Sequence, residues 1–403
     1  MSINIGLSGL RATSEQINTI SHNIANVDTI GYKSSRTEFQ DVYAPQFGGG
    51  EMGGVEVSDI RQNFIGGATV NTGRNGDLAI NGEGFFMVES NAQQMYTRNG
   101  VFNLDAEGNL VSADGYKLMG YGVTDTGAIQ NGSLTSLSVN TADMPAKTTS
   151  KMFMGVNLDA NAPAIDDTNK NFAFDPENPS TFTSSATTTV FDSLGGEHAV
   201  TQYYVKTGNN SWKVHYMVDD NKTPVMEQQV TFGTDGQLAT PNKPINLSFA
   251  PTNGSAPMNV QIDMSGFTQF GSDFSINKNN QDGCAPGKLA GWYFDNDGVI
   301  YARYSNGKTQ AQGQVLLARF PNQEGLQQAG GTRWTQTIES GAPITGSPGS
   351  GQLGKLRTNM YEGSNVNLTG EMVSLMAAQS NYQANAKTIQ ASQQMVQILF
   401  QNM

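Results

Sequence analysis

The chain has 403 residues, with 23 lysines and arginines against 35 aspartates and glutamates, a net charge of −12 and an isoelectric point near 4.7. That balance repels phosphate backbones and argues against general nucleic-acid binding. A mean hydropathy of −0.40, with no apolar run approaching the ~18 residues of a membrane helix, excludes a chain that inserts helices in a membrane. A single cysteine, Cys284, and three dispersed histidines, His22, His198 and His215, exclude an internal disulfide and a cysteine-based zinc site, and no metal or cofactor is expected.

The first ~30 residues read as helix. Ile3, Leu10, Ile17 and Ile24 recur every seven residues, the repeat of a coiled-coil seam. Gly6, Gly9 and the Asn and Ser content weaken this helix in isolation, so it requires a partner. The opening MSINIGLSGLRATSEQ lacks the continuous apolar core of a secretory leader, and the expectation is a cytoplasmic chain or one exported without a cleaved leader.

From there to residue ~360 the texture is short strands and turns. Asn75-Gly76, Asn81-Gly82, Asn99-Gly100, Asp114-Gly115, Asp235-Gly236, Asp297-Gly298 and Asn306-Gly307 supply the positive φ of tight hairpins. SWKVHYMV places Trp212, Val214, Tyr216 and Val218 on one face of a strand, and HAVTQYYV and GQVLLARF alternate similarly. Residues 147–190 are rich in Thr, Ser, Asn and Pro and read as loop or an irregular entry to a domain. Residues 341–354 read as a second low-complexity loop.

The last ~40 residues are helical again. Leu368, Leu375, Tyr382, Ile389 and Val396 step by seven, Asn367 is placed to cap the helix, and Glu371 lies in its first turn, where the dipole favours an acid. The two terminal heptads are assigned as an assembly seam; two ordinary helices on one core is the alternative. Between Glu371 and Met403 the only charged side chain is Lys387. The remaining polar face is amide and hydroxyl, with Gln383, Gln390, Gln394 and Gln397 among it. Such a face is suited to polar interhelical contacts.

Several stretches imitate catalytic motifs. GSGQLGK at 349–355 has the glycine spacing of a phosphate loop, but Leu356 supplies no hydroxyl for magnesium and no βαβ unit surrounds it. Asp295-Asn296-Asp297-Gly298 opens like a calcium loop, yet position 306 is asparagine, and a hairpin turn is expected. Glu197-His198 and His215 lie on strands that could meet across a hairpin, but strand polar residues facing solvent are the default. No Gly-x-Ser-x-Gly elbow is present. Acidic residues cluster at turns, their ordinary place, and the expectation is no enzyme.

NIANVDTIGYKSSRTEFQDVYA carries Asn23, Asn26, Thr29, Gly31, Tyr32, Lys33 and Phe39. TGRNGDLAINGEGFFMV carries Thr72, Gly73, Arg74 and Asp77. EGSNVNLTGEMVSLMAAQSNYQANAKTIQ carries Ser364, Asn365, Glu371, Tyr382 and Asn385. In this order they resemble the signatures of the bacterial flagellar axial family, the rod and hook proteins. VFDSLGGEHAVTQYYVKTGNNSWKVHYMV resembles the inserted outer domain of the longer, hook-type members, and GWYFDNDGVIYARYSNGKTQAQGQVLLARFPNQEGL resembles their return to an inner β-domain.

The resemblance implies a mainly β fold with terminal helices paired in a coiled coil. Residues 1–30 and 363–403 would form the helical part, 31–70 a connecting segment, 71–146 with 283–362 an inner β-domain, and 147–282 an inserted outer β-domain. It implies a structural subunit of a curved, flexible tubular homopolymer that carries torque from rod to filament and encloses the export channel, whose wall Gln383, Gln390, Gln394 and Gln397 would line as a near-neutral surface that traps an unfolded chain of neither charge, with interhelical contact as the alternative. The implied partners are further copies of the chain, rod, cap and filament-junction proteins, and the flagellar export apparatus, with an extracellular destination and no membrane insertion. A distal rod protein with an enlarged insertion, a secreted β-rich binding module and a cell-wall glycosidase are the alternatives.

Overall fold

The computed structural model describes residues 2–42, 53–124, 127–165, 174–219 and 221–401. The chain divides into two compact units. The first comprises Met1–Thr141, Gly291–Ala302 and Thr309–Met403, the second Ala142–Ala290 and Arg303–Lys308. The class is mainly β with a helix at each end, as the turn and heptad signals predict.

In the first unit, helix α1 (Ser2–Ala25) and helix α2 (Leu368–Gln401) run antiparallel, because Asn23 meets Glu371 while Gly6 lies against Ile389. Asn367 caps α2: its Oδ1 accepts from Gly370 N at 3.2 Å and its carbonyl from Glu371 N at 2.9 Å, satisfying amides that the helix itself cannot. After α1 the chain forms an antiparallel hairpin, Ser35–Asp41 with Val55–Gln62. It is tied to α1 where Thr37 Oγ1 donates to Thr19 Oγ1 at 3.0 Å.

The body of this unit is a 13-stranded sheet built around the Phe85–Ser90, Gln93–Thr97 and Lys117–Val123 strands. Its core joins Phe85, Met87, Tyr96, Met119, Phe320 and Trp334. Ring edges meet faces at 5.7 Å for Phe64–Phe85 and 4.7 Å for Tyr96–Phe320, the arrangement the aromatic quadrupole favours. Two short antiparallel pairs, Leu78–Asn81 with Lys355–Thr358 and Thr69–Asn71 with Met360–Glu362, bring the end of the body back beside its beginning.

The second unit is a sandwich of two five-stranded sheets. One is an antiparallel meander from Ser184–Phe191 to Leu238–Thr240. The other centres on Lys151–Asp159, which pairs in parallel with Met258–Asp263 and Thr268–Phe270 and antiparallel with Ser275–Gln281. Trp212, Val214, Tyr216 and Val218 share the buried face expected of them and pack with Val260 and Ile262 of the other sheet. The 147–190 stretch, expected to be loop or an irregular entry to a domain, contains a regular strand. Met152, Met154, Val156 and Leu158 alternate along its Lys151–Asp159 strand and are all buried, a period of two that the Thr, Ser and Asn content around it hides.

Asp295–Gly298 forms the expected hairpin turn, with Asp295 Oδ1 accepting from Asp297 N and Val299 N. GSGQLGK is a run of turns closing on Glu83, whose carbonyl accepts from Gly354 N at 2.7 Å. His198 and His215 do not meet: His198 stands opposite Val190 and His215 opposite Tyr203. No group of three or more His, Cys, Asp or Glu among the described residues is arranged to hold a metal.

Candidate functional site

In the first unit, segments distant in sequence converge on one buried carboxylate. Glu362 ends the Met360–Glu362 strand. Its Oε1 accepts from Lys33 Nζ at 2.6 Å and from Gly67 N at 2.8 Å, and its Oε2 from Arg98 Nη1 at 3.2 Å. All three side chains are at most 2% exposed. Two cations therefore share one anion, and carbonyls complete the set: Ile65 O accepts from Lys33 at 2.7 Å and Gly82 O from Arg98 at 3.0 Å. The Arg98 guanidinium also lies over the Phe85 ring at 5.2 Å. Burial pushes the Lys33 ammonium and the Arg98 guanidinium below their ordinary values, and the Glu362 charge opposes that shift.

The chain reaches this centre through Gly31, whose φ is +70°. A Cβ there would stand 2.5 Å from Asn99 N, so the left-handed backbone and the close approach both demand glycine. Gly31 N donates to Glu362 O at 2.8 Å.

Near the end of α1, Asn23 is 1% exposed and uses both ends of its amide. Nδ2 donates to Ser35 O and to Glu371 Oε1, and Oδ1 accepts from Tyr32 OH and Ser35 N. One side chain thus joins α1, the hairpin and the first turn of α2. Burial raises the Glu371 carboxyl against this bond, and burial together with the Glu371 charge raises the Tyr32 phenol. Asn26 closes α1, donating to His22 O and accepting from Thr29 Oγ1. Asn365 mirrors Asn23 on the α2 side: Oδ1 accepts from Ser34 N, and Nδ2 donates to Asn63 O and Ile65 O.

Thr72, Gly73, Arg74 and Asp77 form a second cluster at the two short strand pairs. Thr72 Oγ1 donates to the buried Asp77 Oδ2 at 2.6 Å, Arg74 Nη1 stands 3.9 Å from Asp77 Oδ1, and Gly73 N donates to Asn71 Oδ1.

The helix pair itself is close because its facing residues are small. A Cβ on Gly6 would lie 2.8 Å from Ile389 Cγ1, and one on Gly9 2.8 Å from Asn385 Nδ2. Among the described residues the buried positions on α1 are Gly6, Gly9, Ala12, Thr13, Thr19, Ile20 and Asn23, and on α2 Ala378 and Ser392. Of the heptad residues, Leu10, Ile17, Ile24, Leu375 and Ile389 are half-buried. Leu368, Tyr382 and Val396 stay about 40% exposed, and the Ile3 side chain lies outside the described residues. Gln383, Gln390, Gln394 and Gln397 are all exposed.

Glu362 and Arg98 were not distinguished by the sequence pattern. Lys33 stands 65 positions before Arg98 and 329 before Glu362, and no periodicity links such distances.

Four family models match this chain. "Flagella basal body rod protein" covers residues 3–33 and "Flagellar hook protein FlgE/F/G D1 domain" residues 79–153. "Flagellar basal body protein FlaE D2 domain" covers 157–284 and "Flagellar basal body rod FlgEFG protein C-terminal" 357–402. The flagellar hook protein FlgE of Escherichia coli is 36% identical over 406 residues, covering 99% of both chains. The chain belongs to the flagellar hook protein family. The hook protein of Rhizobium meliloti is 34% identical, over 98% of this chain and 97% of its own. The crystal structure of Helicobacter pylori flagellar hook protein FlgE2 covers 72% of this chain and 99% of its own at a TM-score of 0.55 and 16% identity, a likeness of fold. Within the hook family frame, the Lys33–Glu362–Arg98 centre and the Asn23 bridge are where the terminal helices of this chain are fastened to its β body.

Proposed function

We propose that this chain is the structural subunit of the flagellar hook, a curved, flexible tubular homopolymer that transmits torque from rod to filament and encloses the export channel. The observation that carries this reading, together with family membership, is α2. Its small-residue face is used by α1, while Leu368, Met372, Val373, Met376, Tyr382, Met395, Val396 and Ile398 remain exposed on a helix of 34 residues, about 51 Å long. Apolar side chains left in water along the length of one helix and on several of its sides mark the surface of an assembly rather than of a finished monomer. A head-to-tail contact that does not close on itself generates a helical tube.

On this reading the heptad residues from both ends form the assembly seam. The subunit is exported through the flagellar apparatus, meets rod, cap and junction proteins at the ends of the tube, and has no catalytic role or cofactor. Electron microscopy of the purified full-length chain tests it: curved tubes are expected, and a protein that stays monomeric at high concentration refutes the reading. A chain lacking residues 363–403 should form no tubes, yet keep the calorimetric transition of the second unit, which shares no residue with the terminal helices.

The amide face of α2 is assigned to the channel wall. Gln390→Lys with Gln397→Lys would place repeated positive charges around a narrow bore where water screens them poorly. Hooks should assemble in normal number, with less filament protein secreted per hook, most of all for cargo with basic stretches. Normal secretion through normal hooks would place this face away from the lumen, and missing hooks would assign it to interhelical contacts.

A further inference from the structure

The second unit is entered and left by two segments that pair with each other: Met144 with Gly287, and Lys147 with Cys284. The Asp192–Gly196 turn is seated on this root. A Cβ on Gly195 would lie 2.4 Å from Pro286 Cδ and 3.1 Å from Ala146 Cβ. Beside it, Thr149 N donates to Phe191 O, and Phe191 N to Thr149 Oγ1, each at 2.8 Å.

The turn is held by Asp192, whose side chain is fully buried. It accepts from Leu194 N and Gly196 N at 2.8 Å, from Asn253 Nδ2 at 2.5 Å, and stands 3.2 Å from His198 Nε2. His198 Nδ1 is 2.8 Å from Asp219 Oδ2, and Asp219 Oδ1 accepts from Ala199 N. An imidazole with a carboxylate at each nitrogen needs a hydrogen on both, and only the imidazolium has them.

We propose that the root of the second unit is a pH-sensitive clasp, closed while His198 bridges Asp192 and Asp219 as an imidazolium and loosened when the ring loses a proton. Among the described residues, the charged groups facing the ring are Asp192, from the turn, and Asp219, from the end of the Ser211–Val218 strand. The opposite sheet presents the edge of Phe249 at 6.0 Å, and the loop beyond it the neutral Asn253. Burial works against the charged ring, but the bonds to Asp219 and Asp192 outweigh it and raise His198 above its ordinary 6.5. Burial would likewise raise Asp192, yet its bonds from Asn253, His198, Gly196 and Leu194 hold it far below the usual carboxylate range.

The signs set the window. A histidine raised in the folded state contributes stability that is complete below its unfolded value and lost as pH rises through its folded one. The Asp192 contribution is lost only in strong acid. The clasp therefore opens on the alkaline side. A neutral ring has one hydrogen for two carboxylates, so one of them loses its bond to the ring, and the turn and the segments beneath it are held less tightly.

Full-length protein with 15N-labelled histidine rings tests this, its signals assigned through His22→Gln and His215→Gln. His198 should titrate above 6.5, and Asp219→Asn should lower its midpoint. Amide exchange in residues 142–149 and 284–289, corrected for the intrinsic effect of pH, should step up about tenfold as pH passes the His198 midpoint. In Asp219→Asn, where the altered side chain is 47% exposed and keeps its shape, that step should move with the midpoint. A ring that titrates at or below 6.5, or exchange that shows no step at its midpoint, overturns the proposal.

Discussion

Glu362→Gln is expected to destabilise the first unit by about 3–5 kcal/mol, the cost of leaving a buried charge without its partner. The amide fills the same space, so the loss is electrostatic: Lys33 and Arg98 stay buried with carbonyl oxygens but without the carboxylate that both of them bond. The pH dependence separates this from a packing defect. Lys33 is already held below its ordinary value by burial, with Glu362 opposing, and without Glu362 it falls further. A lysine lower in the folded than in the unfolded state binds fewer protons when folded, so stability rises with pH until the unfolded group also titrates. The variant should recover part of its loss between pH 7 and about 10, measured by thermal melts across that range. Lys33→Met in the variant background should cost less than it does alone, since the two groups are in contact and their effects do not add.

Ile389→Asp is expected to abolish tubes. Ile389 is half-buried, and its Cγ1 would lie 2.8 Å from a Cβ on Gly6, so a carboxylate there enters the helix pair. The penalty is several kcal/mol in every subunit. Val396→Asp is the informative companion. Val396 is 40% exposed in the single chain, so the folded subunit should melt at the wild-type temperature. If the exposed apolar side chains of α2 meet a second copy, Val396→Asp also prevents tubes. Calorimetry of the monomer beside microscopy of the polymer reads the two effects separately.

The helices were legible because their signals are local. The Asn367 cap, the Glu371 in the next turn and the heptad step all lie within a few residues of one another, and the structure begins α2 at Leu368. The face that α2 turns to α1 was less legible. Ala378, Asn385 and Ser392 also recur every seven residues, but as small and polar side chains they carry no apolar signal. Their role emerges only when Gly6 and Gly9 are seen across from Asn385 and Ile389. The alternating strand in SWKVHYMV was readable for the converse reason, since large apolar residues mark its buried face without interruption. Lys33, Arg98 and Glu362 each look like an ordinary charged residue in its own neighbourhood. Only the folded chain makes them one centre.

The route from Glu362 to α2 is five residues long, a span of about 18 Å at full extension, and it is pinned along its course. Gly363 N donates to Ala68 O, Asn365 is fastened to Ser34, Asn63 and Ile65, and Asn367 caps the helix. The lead from α1 is pinned beside it at Asn23, Gly31 and Lys33. Neither lead holds spare chain that could uncoil under tension. A pull on α2 reaches the Met360–Glu362 strand as movement of the strand itself. Because the two leads are tied to each other through Ser34–Asn365 and Gly31–Glu362, a twist of the helix pair is delivered to the β body as a couple, as a shaft delivers it through paired keys and not through a rope.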